Sequence, residues 1–453
     1  MMSVAPKIAL LVHNVYERDP RVHRHARAAM GAGYRVAVLS AGAPEGRWGV
    51  DIGGVALYES RVLHRSVLGR VRAALARRHK RGSAVGTEGS CALGPDRAAP
   101  DGKTGGGTTG LGGAIGDLWT IVLLLRNNVG LYRQFRGVGA RLVHANDLNV
   151  LPAGYLLARA WGAPLLYDSH ELWTHLDADW SPLLRRLFGL IEGPLARRCA
   201  AVVTVNRPIA AELAAAYGIP MPVVVMNCPE APVGGHPPDA ELGRGDSEQA
   251  GSAAATREPL RVIYQGMLDN VGRGLEGLID ASARVDGVVV TLRGLGAHIG
   301  CLQQHITNGT ATNVSVEPPV PMVELVAALT PYDVGMVSYL PLSKNHLFSS
   351  PNKLFEYMSA GLAVICSDLP VLREVVTEAD CGLLYEAGNV EALAKAMRRL
   401  AADRDLLARL KANARRAAVE RYNAAHEEGK LLDVYRWLIA NRVGSGHLHG
   451  GSR

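Results

Sequence analysis

Two rhythms alternate along the 453-residue chain. Short runs of consecutive apolar residues read as strands buried on both faces: Ile8–Val12, Val36–Leu39, Leu142–His144, Leu165–Tyr167, Val202–Val205 and Val223–Met226. Between them lie stretches of helical period such as Val22–Met30 and Pro152–Trp161. Strand, helix, strand in this order requires right-handed crossovers and gives a parallel sheet covered by helices on both faces. The rhythm restarts after residue 259 with Arg261–Gln265, Val288–Arg293, Val314–Val316, Val334–Val337 and Ala363–Cys366. The pattern predicts an α/β protein of two doubly wound, Rossmann-like parallel-sheet halves in tandem.

The stretches without either rhythm set the boundaries. Residues 229–258 are rich in Pro, Gly, Ala and charge and have no period, so they read as a linker or a disordered loop between a first domain at 1–228 and a second at 259–426. A final segment, Glu427–Ala440, places apolar residues at 431, 432, 434, 435, 438 and 439, a helical spacing, within a helix expected over 427–442. The tail 443–453 is expected to be disordered. Inside the first half, 61–136 reads as an insertion. Its low-complexity middle, 82–113, contains Gly102-Lys103-Thr104, but Arg97 stands where a phosphate loop needs its first glycine. Two basic, partly apolar segments flank that middle, 61–81 and 117–136, and both can be helical. Val62, Leu68, Val71 and Leu75 stand among arginines, a pattern that suits either a helix on an anionic membrane surface or one packed on its own domain.

Composition narrows the classes. The longest largely apolar run, Leu118–Leu125, is eight residues, and the N-terminal run Ile8–Val12 is five, so neither a membrane span nor a signal peptide is expected. The six cysteines are scattered with no C-x-x-C, which argues against a zinc site or a disulfide scaffold and fits a reducing cytoplasm. Charge is uneven. Residues 1–220 hold 27 Lys and Arg against 16 Asp and Glu, a net of +11, whereas 221–453 hold 22 against 26, a net of −4. The basic half points to an anionic partner or to a solvated basic face. No nucleic-acid recognition motif accompanies the charge, so nucleic acid is not expected.

The chemistry-bearing stretch is Ser349-Ser350-Pro351-Asn352-Lys353-Leu354-Phe355-Glu356-Tyr357, which opens a helix that Gly361 ends. Ser349 or Ser350 is expected to cap it, with Pro351 at the first helical position. Lys353 in the first turn opposes the helix dipole, a conflict that an anion bound between the free N–H groups and the lysine resolves. Glu356 lies one turn deeper, where a carboxylate can accept from two ribose hydroxyls. In Tyr264-Gln265-Gly266-Met267-Leu268-Asp269-Asn270-Val271-Gly272-Arg273-Gly274 a strand ends in a glycine-bearing loop at the sheet edge where doubly wound folds bind ligands. Arg273 is placed to clamp a diphosphate. Arg293-Gly294-Leu295-Gly296 repeats the strand-to-glycine pattern more weakly. In the first half, Tyr167-Asp168-Ser169-His170 and His144-Ala145-Asn146-Asp147 end strands. His170 as a neutral imidazole could bond a sugar hydroxyl or carry a proton. Asp19 reads as a helix cap, and Arg21 is a candidate to face the same site; structural roles are open for both.

These residues resemble glycosyltransferase family 4, retaining enzymes of the GT-B fold. The resemblance runs through DPRVHRHARAAMGAGYRVAVLS, HANDLNVLPAGYLLARAWGAPLLYDSHELW, YQGMLDNVGRGLEGLIDA and, most specifically, SPNKLFEYMSAGLAVICSDLP. It implies two domains facing across a cleft and a nucleotide diphosphate sugar as donor, with no separate cofactor and no metal. It further implies that Glu356 bonds the ribose, that Arg273 and Lys353 hold the diphosphate, and that His170 approaches the donor sugar; Asn352 and Gly266 complete the candidate donor set. The first Glu of the family's E-x7-E pattern is Phe348 here. The implied partners are a hydroxyl acceptor (a glycan, a lipid-linked sugar or a small molecule) and an anionic membrane surface. The implied location is the cytoplasm or the inner face of the membrane, and the implied setting is surface-polysaccharide or small-molecule glycosylation. A sugar-nucleotide 2-epimerase and a non-catalytic partner subunit share the architecture and stay open as alternatives.

Overall fold

A computed structural model describes residues 5–16, 19–41, 46–60, 111–176, 180–231, 258–269, 272–309 and 311–441. It falls into two compact units. The first comprises residues 1–226, 343–345 and 428–453, and the second 227–342 and 346–427. The expected segment at 61–81, most of the low-complexity stretch, most of the linker and the tail lie outside the described residues.

The strands of the first unit are β1 (Lys7–Val12), β2 (Arg35–Ser40), β3 (Trp48–Ile52), β4 (Val55–Glu59), β5 (Leu142–Asn146), β6 (Leu165–Ser169), β7 (Ala201–Thr204) and β8 (Val223–Val224). They form one sheet in the order β3-β4-β2-β1-β5-β6-β7-β8, parallel except for the β3–β4 pair. Its helices are α1 (Pro20–Gly31), α2 (Leu111–Phe135), α3 (Leu151–Trp161), α4 (Pro182–Ala196) and α5 (Arg207–Tyr217). The helix starts follow local chemistry. Asp19 accepts from the Val22 N–H at 3.2 Å, and Ser181 and Asn206 cap α4 and α5 in the same way. The hairpin β3–β4 is absent from the apolar-run reading because β3 is mostly exposed. Its signal is the turn: Gly53 and Gly54 both take positive φ, and Asp51 accepts from the Gly54 N–H at 2.9 Å.

The second unit holds β9 (Leu260–Gln265), β10 (Val288–Arg293), β11 (Val314–Glu317), β12 (Val334–Val337), β13 (Ala363–Ser367) and β14 (Gly382–Tyr385). All are parallel, in the order β11-β10-β9-β12-β13-β14. Renumbered within the unit this is 3-2-1-4-5-6, the dinucleotide-fold order, and its direction reverses between β9 and β12. The helices are α6 (Leu275–Ser282), α7 (Ile299–Asn308), the short α8 (Lys344–Leu347), whose first two residues group with the first unit, α9 (Asn352–Ser359), α10 (Pro370–Ala379), α11 (Val390–Ala402) and α12 (Arg404–Glu420). The last helix, α13 (Ala424–Ala440), begins in this unit; from Glu428 onward it belongs to the first, whose core takes up Leu431, Val434, Tyr435 and Leu438. Each unit has its own apolar core, one around Ile8, Leu10, Val38 and Leu166, the other around Val262, Leu278, Met336 and Ile365.

Candidate active site

In the second unit the sheet reverses direction beside the ends of β9 and β12, and the candidate donor residues gather there. After Gln265 the chain turns through Gly266 at φ 143°, a conformation side chains rarely adopt, and a Cβ at that position would sit 3.1 Å from Lys353 Nζ. Gly294 shows why the next strand also ends in glycine: a Cβ there would collide with the Gly266 carbonyl at 1.7 Å. Lys353, the second residue of α9, is 7% exposed. Its ammonium lies 3.7 Å from the centroid of the Tyr264 ring and 5.7 Å from that of Tyr339, and it has no hydrogen-bond partner among the described residues. Burial first, and the neighbouring Arg273 charge second, hold its pKa well below the usual lysine value against the pull of Glu356. Arg273 reaches the Tyr339 hydroxyl and stacks over that ring at 4.9 Å. The backbone of α9 is fixed to the strand end by the Gln265 N–H, which donates to the Tyr357 hydroxyl at 2.8 Å.

The start of α9 differs from the expectation. Pro351, not a serine, occupies the cap position with extended backbone, and no side chain caps the helix. Proline in extended backbone satisfies the entry geometry without a cap, which leaves the first N–H groups open. The Ser350 hydroxyl is instead buried without a hydrogen-bond partner among the described residues, next in sequence to that open end. Asn352 is held by Asn227, whose amide donates to its carbonyl at 2.6 Å. Three features therefore converge at one helix start: open backbone donors, an orphaned hydroxyl and an unpaired amine, all suited to an anion.

The first unit carries a different construction. Asp168, fully buried at the end of β6, accepts from Arg21 Nε and Nη2, both at 3.0 Å. His144 Nε2 stands 3.4 Å and His170 Nε2 3.3 Å from the same carboxylate. Arg21, expected as a candidate to face the site, is 4% exposed, and its remaining guanidinium nitrogen, Nη1, donates to the Val225 carbonyl at 2.9 Å. Although burial alone would raise the Asp168 pKa, the Arg21 and His170 charges hold it well below the ordinary carboxylate value. His25 and His144 are lowered, chiefly by burial, and stay neutral. His25, His144 and Asp168 bring three potential ligand atoms within 4.8 Å, but a guanidinium takes both carboxylate oxygens where a metal cation would need them.

His170 departs from the neutral ring expected of it. Nδ1 lies 3.0 Å from Asp147 Oδ2 and Nε2 3.3 Å from Asp168 Oδ2. Burial opposes the charge, yet the two carboxylates raise the pKa to about 10, so the ring is an imidazolium whose Nδ1–H is hydrogen-bonded to Asp147 and whose Nε2 faces Asp168 as an ion pair without hydrogen-bond geometry. Asp147 takes a left-handed φ of 69° and also accepts from the His170 backbone N–H at 3.1 Å. Beside it, His13, Thr120, Asn127, Asn149 and Trp173 line a shallow cavity.

The structure thus groups Gly266, Arg273, Lys353 and Glu356 in the second unit and places His170 in the first. Asn270 and Val271, within the predicted loop, lie outside the described residues. Tyr264, Tyr339 and Asp168 escaped the sequence reading as participants; Tyr264 stands two residues from Gly266 and Asp168 two from His170, whereas Tyr339 lies in no stretch that it singled out.

Two family descriptions match the sequence: "Glycosyl transferase 4-like domain" over residues 19–229 and "Glycosyl transferases group 1" over residues 258–417. Among curated proteins none matches the chain. Several solved structures share the fold at low identity. Sucrose-phosphate synthase from Thermosynechococcus elongatus is 16% identical, with 96% of this chain and 99% of that chain covered and a TM-score of 0.66. HepE from Anabaena, in complex with UDP-glucose, is 15% identical, with 95% and 100% covered and a TM-score of 0.60. An α,α-trehalose 6-phosphate synthase from Burkholderia multivorans is 13% identical, with 98% and 100% covered and a TM-score of 0.62. These likenesses give the fold, GT-B with two Rossmann-like domains.

Proposed function

The chain belongs to the glycosyltransferases of the family 4 type, and from that premise we propose that it is a retaining, metal-independent enzyme that moves a sugar from a nucleoside diphosphate to a hydroxyl acceptor. The observation that carries the donor half is Lys353, a buried amine with no partner at the open start of α9. A diphosphate seated there replaces the missing partner, raises the amine's pKa and turns it into an ammonium. Arg273 adds a second, permanent charge. As the bond to the sugar breaks, negative charge grows on the leaving phosphate, and these fixed groups stabilise it more in the transition state than before. Glu356, one turn along α9, is assigned to the ribose.

His170 is assigned an electrostatic and positioning role, since an imidazolium has no free lone pair with which to take the acceptor's proton. The leaving phosphate oxygen is then the base, which suits transfer with retention. The acceptor, a lipid-linked glycan or a small molecule, is assigned to the basic first unit, and the scattered cysteines, in no disulfide at any described position, suit a cytoplasmic protein of surface-polysaccharide or small-molecule glycosylation. The bound UDP-glucose of HepE supports a uridine donor as the first to try.

The test is the melting temperature of the chain with UDP, GDP, dTDP or ADP, without metal, beside Glu356→Ala. One nucleotide raising the wild-type midpoint, with a smaller rise in the variant, supports the assignment. No rise with any of them at about 100 times a typical micromolar Kd overturns it and favours a non-catalytic partner subunit. The anomeric configuration of the product tests retention.

A further inference from the structure

The outer face of α2 is apolar at one end and cationic at the other, and no acid interrupts it. Ile115, Leu118, Trp119, Val122, Leu125 and Val129 are each between 40% and 58% exposed. Arg126, Arg133 and Arg136, also exposed, follow on the same side. The eight positions inside α2 are spaced three or four apart or adjacent, which keeps them on one face of the helix, and Arg136 stands just past its last residue, Phe135. The helix's single acid, Asp117, points away from that spacing and is engaged by the Ser181 hydroxyl at the start of α4. α4 packs beside α2 and adds exposed Leu183 and Leu190 with exposed Arg186; its own acid, Glu192, is fully buried. A patch of this kind is unusual on a protein that meets only water.

We propose that the first unit docks on an anionic lipid bilayer through this face of α2, with the neighbouring part of α4 beside it. The charge decides the occupant. Everything ionised and exposed on the two helices, apart from the engaged Asp117, is arginine, so the surface complements phospholipid headgroups of negative charge and repels a second copy of itself. The apolar residues enter the acyl boundary, and Trp119 stands among them as aromatic residues do at membrane interfaces. No helix among the described residues is long and apolar enough to cross a membrane, so α2 lies along the surface rather than through it. The inner flank of the same helix, through Thr120 and Asn127, lines the cavity next to the Asp147–His170 pair. A docked α2 therefore brings that cavity to the lipid surface, which makes a bilayer-borne acceptor the substrate class it favours. The docking itself does not depend on what the second unit binds.

The experiment is co-sedimentation of the full chain with vesicles of phosphatidylcholine alone or with about one-third phosphatidylglycerol. The wild type pellets with the anionic vesicles, and binding weakens in high salt. Trp119→Glu/Val122→Glu loses at least about tenfold in binding while its melting rise with nucleotide is unchanged. Arg126→Glu/Arg133→Glu/Arg136→Glu, which leaves the apolar stripe intact, loses a similar amount. If the wild type stays in the supernatant, the proposal fails. It also fails if both variants pellet like the wild type, since another surface, such as the basic 61–81 segment, then carries the binding. A wild-type dimer in sedimentation velocity that either variant makes monomeric, with no vesicle binding, reassigns the face to self-association.

Discussion

Each unit buries a charged centre at the carboxyl ends of its strands, and the two are finished in opposite ways. In the first unit Asp168 is surrounded: Arg21 takes both its oxygens, and His144 and His170 stand within 3.4 Å. In the second unit Lys353 is equally buried but has only aromatic faces and the field of Glu356 for company. A buried charge with a complete set of partners is part of the architecture, and removing one partner exposes the cost of the other. A buried amine with no hydrogen-bond partner among the described residues has its charged form disfavoured by the rest of the fold, and a ligand of opposite sign relieves it. The contrast predicts that substitutions at the two centres separate cleanly into losses of stability and losses of binding.

The largest effect is expected in the first unit. Asp168→Asn leaves Arg21 buried without its ion-pair partner, and the unfolding free energy is expected to fall by about 3–5 kcal/mol. Urea unfolding with separate tryptophan and far-ultraviolet readouts measures it. A loss under about 1 kcal/mol would mean that the cluster is not structural, and the comparison would collapse.

The second effect is of opposite kind. Lys353→Met removes a buried amine and keeps an unbranched side chain of similar length, so stability is expected to hold or rise. Affinity for the nucleotide that protects the wild type is expected to drop about 100-fold, or about 2.7 kcal/mol. Calorimetry in buffers of different ionisation enthalpy adds a sign test. Because the free amine's pKa is depressed and the diphosphate raises it, wild-type binding takes up a proton, and the variant's does not. Unchanged affinity in the variant would place the diphosphate elsewhere.

These two centres were unequally legible in the sequence. The strands were readable because residues buried on both faces must be apolar throughout, and the strand ends then located Gly266, Arg273 and Lys353. Exposed β3 and the short β14 carry no such run and were missed. The α9 start was readable as an anion site because a lysine in a first turn conflicts with the helix dipole, but the cap was not: whether a serine or a proline closes the entry depends on backbone angles that neither residue type dictates. His170 was recognised and its charge state misread. That state is set by Asp147, 23 residues away, and by Asp168, whose own ionisation is fixed by Arg21, 147 residues away. Long-range charge coupling of this sort has no local pattern to betray it.

A third prediction uses a buried acid that neither centre needs. Glu192 is fully buried, and although the Tyr167 and Tyr217 hydroxyls donate to it at 2.7 Å, burial raises its pKa to about 7. A carboxyl whose folded pKa exceeds its unfolded value binds more protons when folded, so its contribution to stability is full below the unfolded pKa and declines as pH rises toward 7. The decline is on the order of 2–3 kcal/mol. Glu192→Gln is expected to lose stability at pH 4.5 and to close that gap, or overtake the wild type, at pH 8. Parallel pH profiles for the two proteins would show that Glu192 stays ionised in the fold and belongs with Asp168 as a satisfied charge.

The smallest effect sharpens the comparison with neutral groups in place of charged ones. The Ser40 hydroxyl, in the first unit, donates to the Asn14 carbonyl at 2.8 Å, whereas the Ser350 hydroxyl, in the second, is buried with no partner among the described residues. Ser40→Ala removes the hydrogen bond that a fully buried hydroxyl makes to the Asn14 carbonyl and is expected to cost about 1 kcal/mol, with nucleotide affinity unchanged. Ser350→Ala deletes a hydroxyl that is already unsatisfied, so stability is expected to stay within about 0.5 kcal/mol of the wild type or to rise slightly. Its effect moves to the ligand. If the open start of α9 receives a phosphate, the hydroxyl bonds to it, and the loss in affinity is expected to be about threefold to tenfold, the worth of one hydrogen bond. The two serines have identical chemistry, so a crossed result, with Ser350→Ala unstable and Ser40→Ala deficient in binding, would invert the assignment of the two units. An equal loss of stability in both would show that Ser350 has a structural partner, and the argument from orphaned groups would then rest on Lys353 alone.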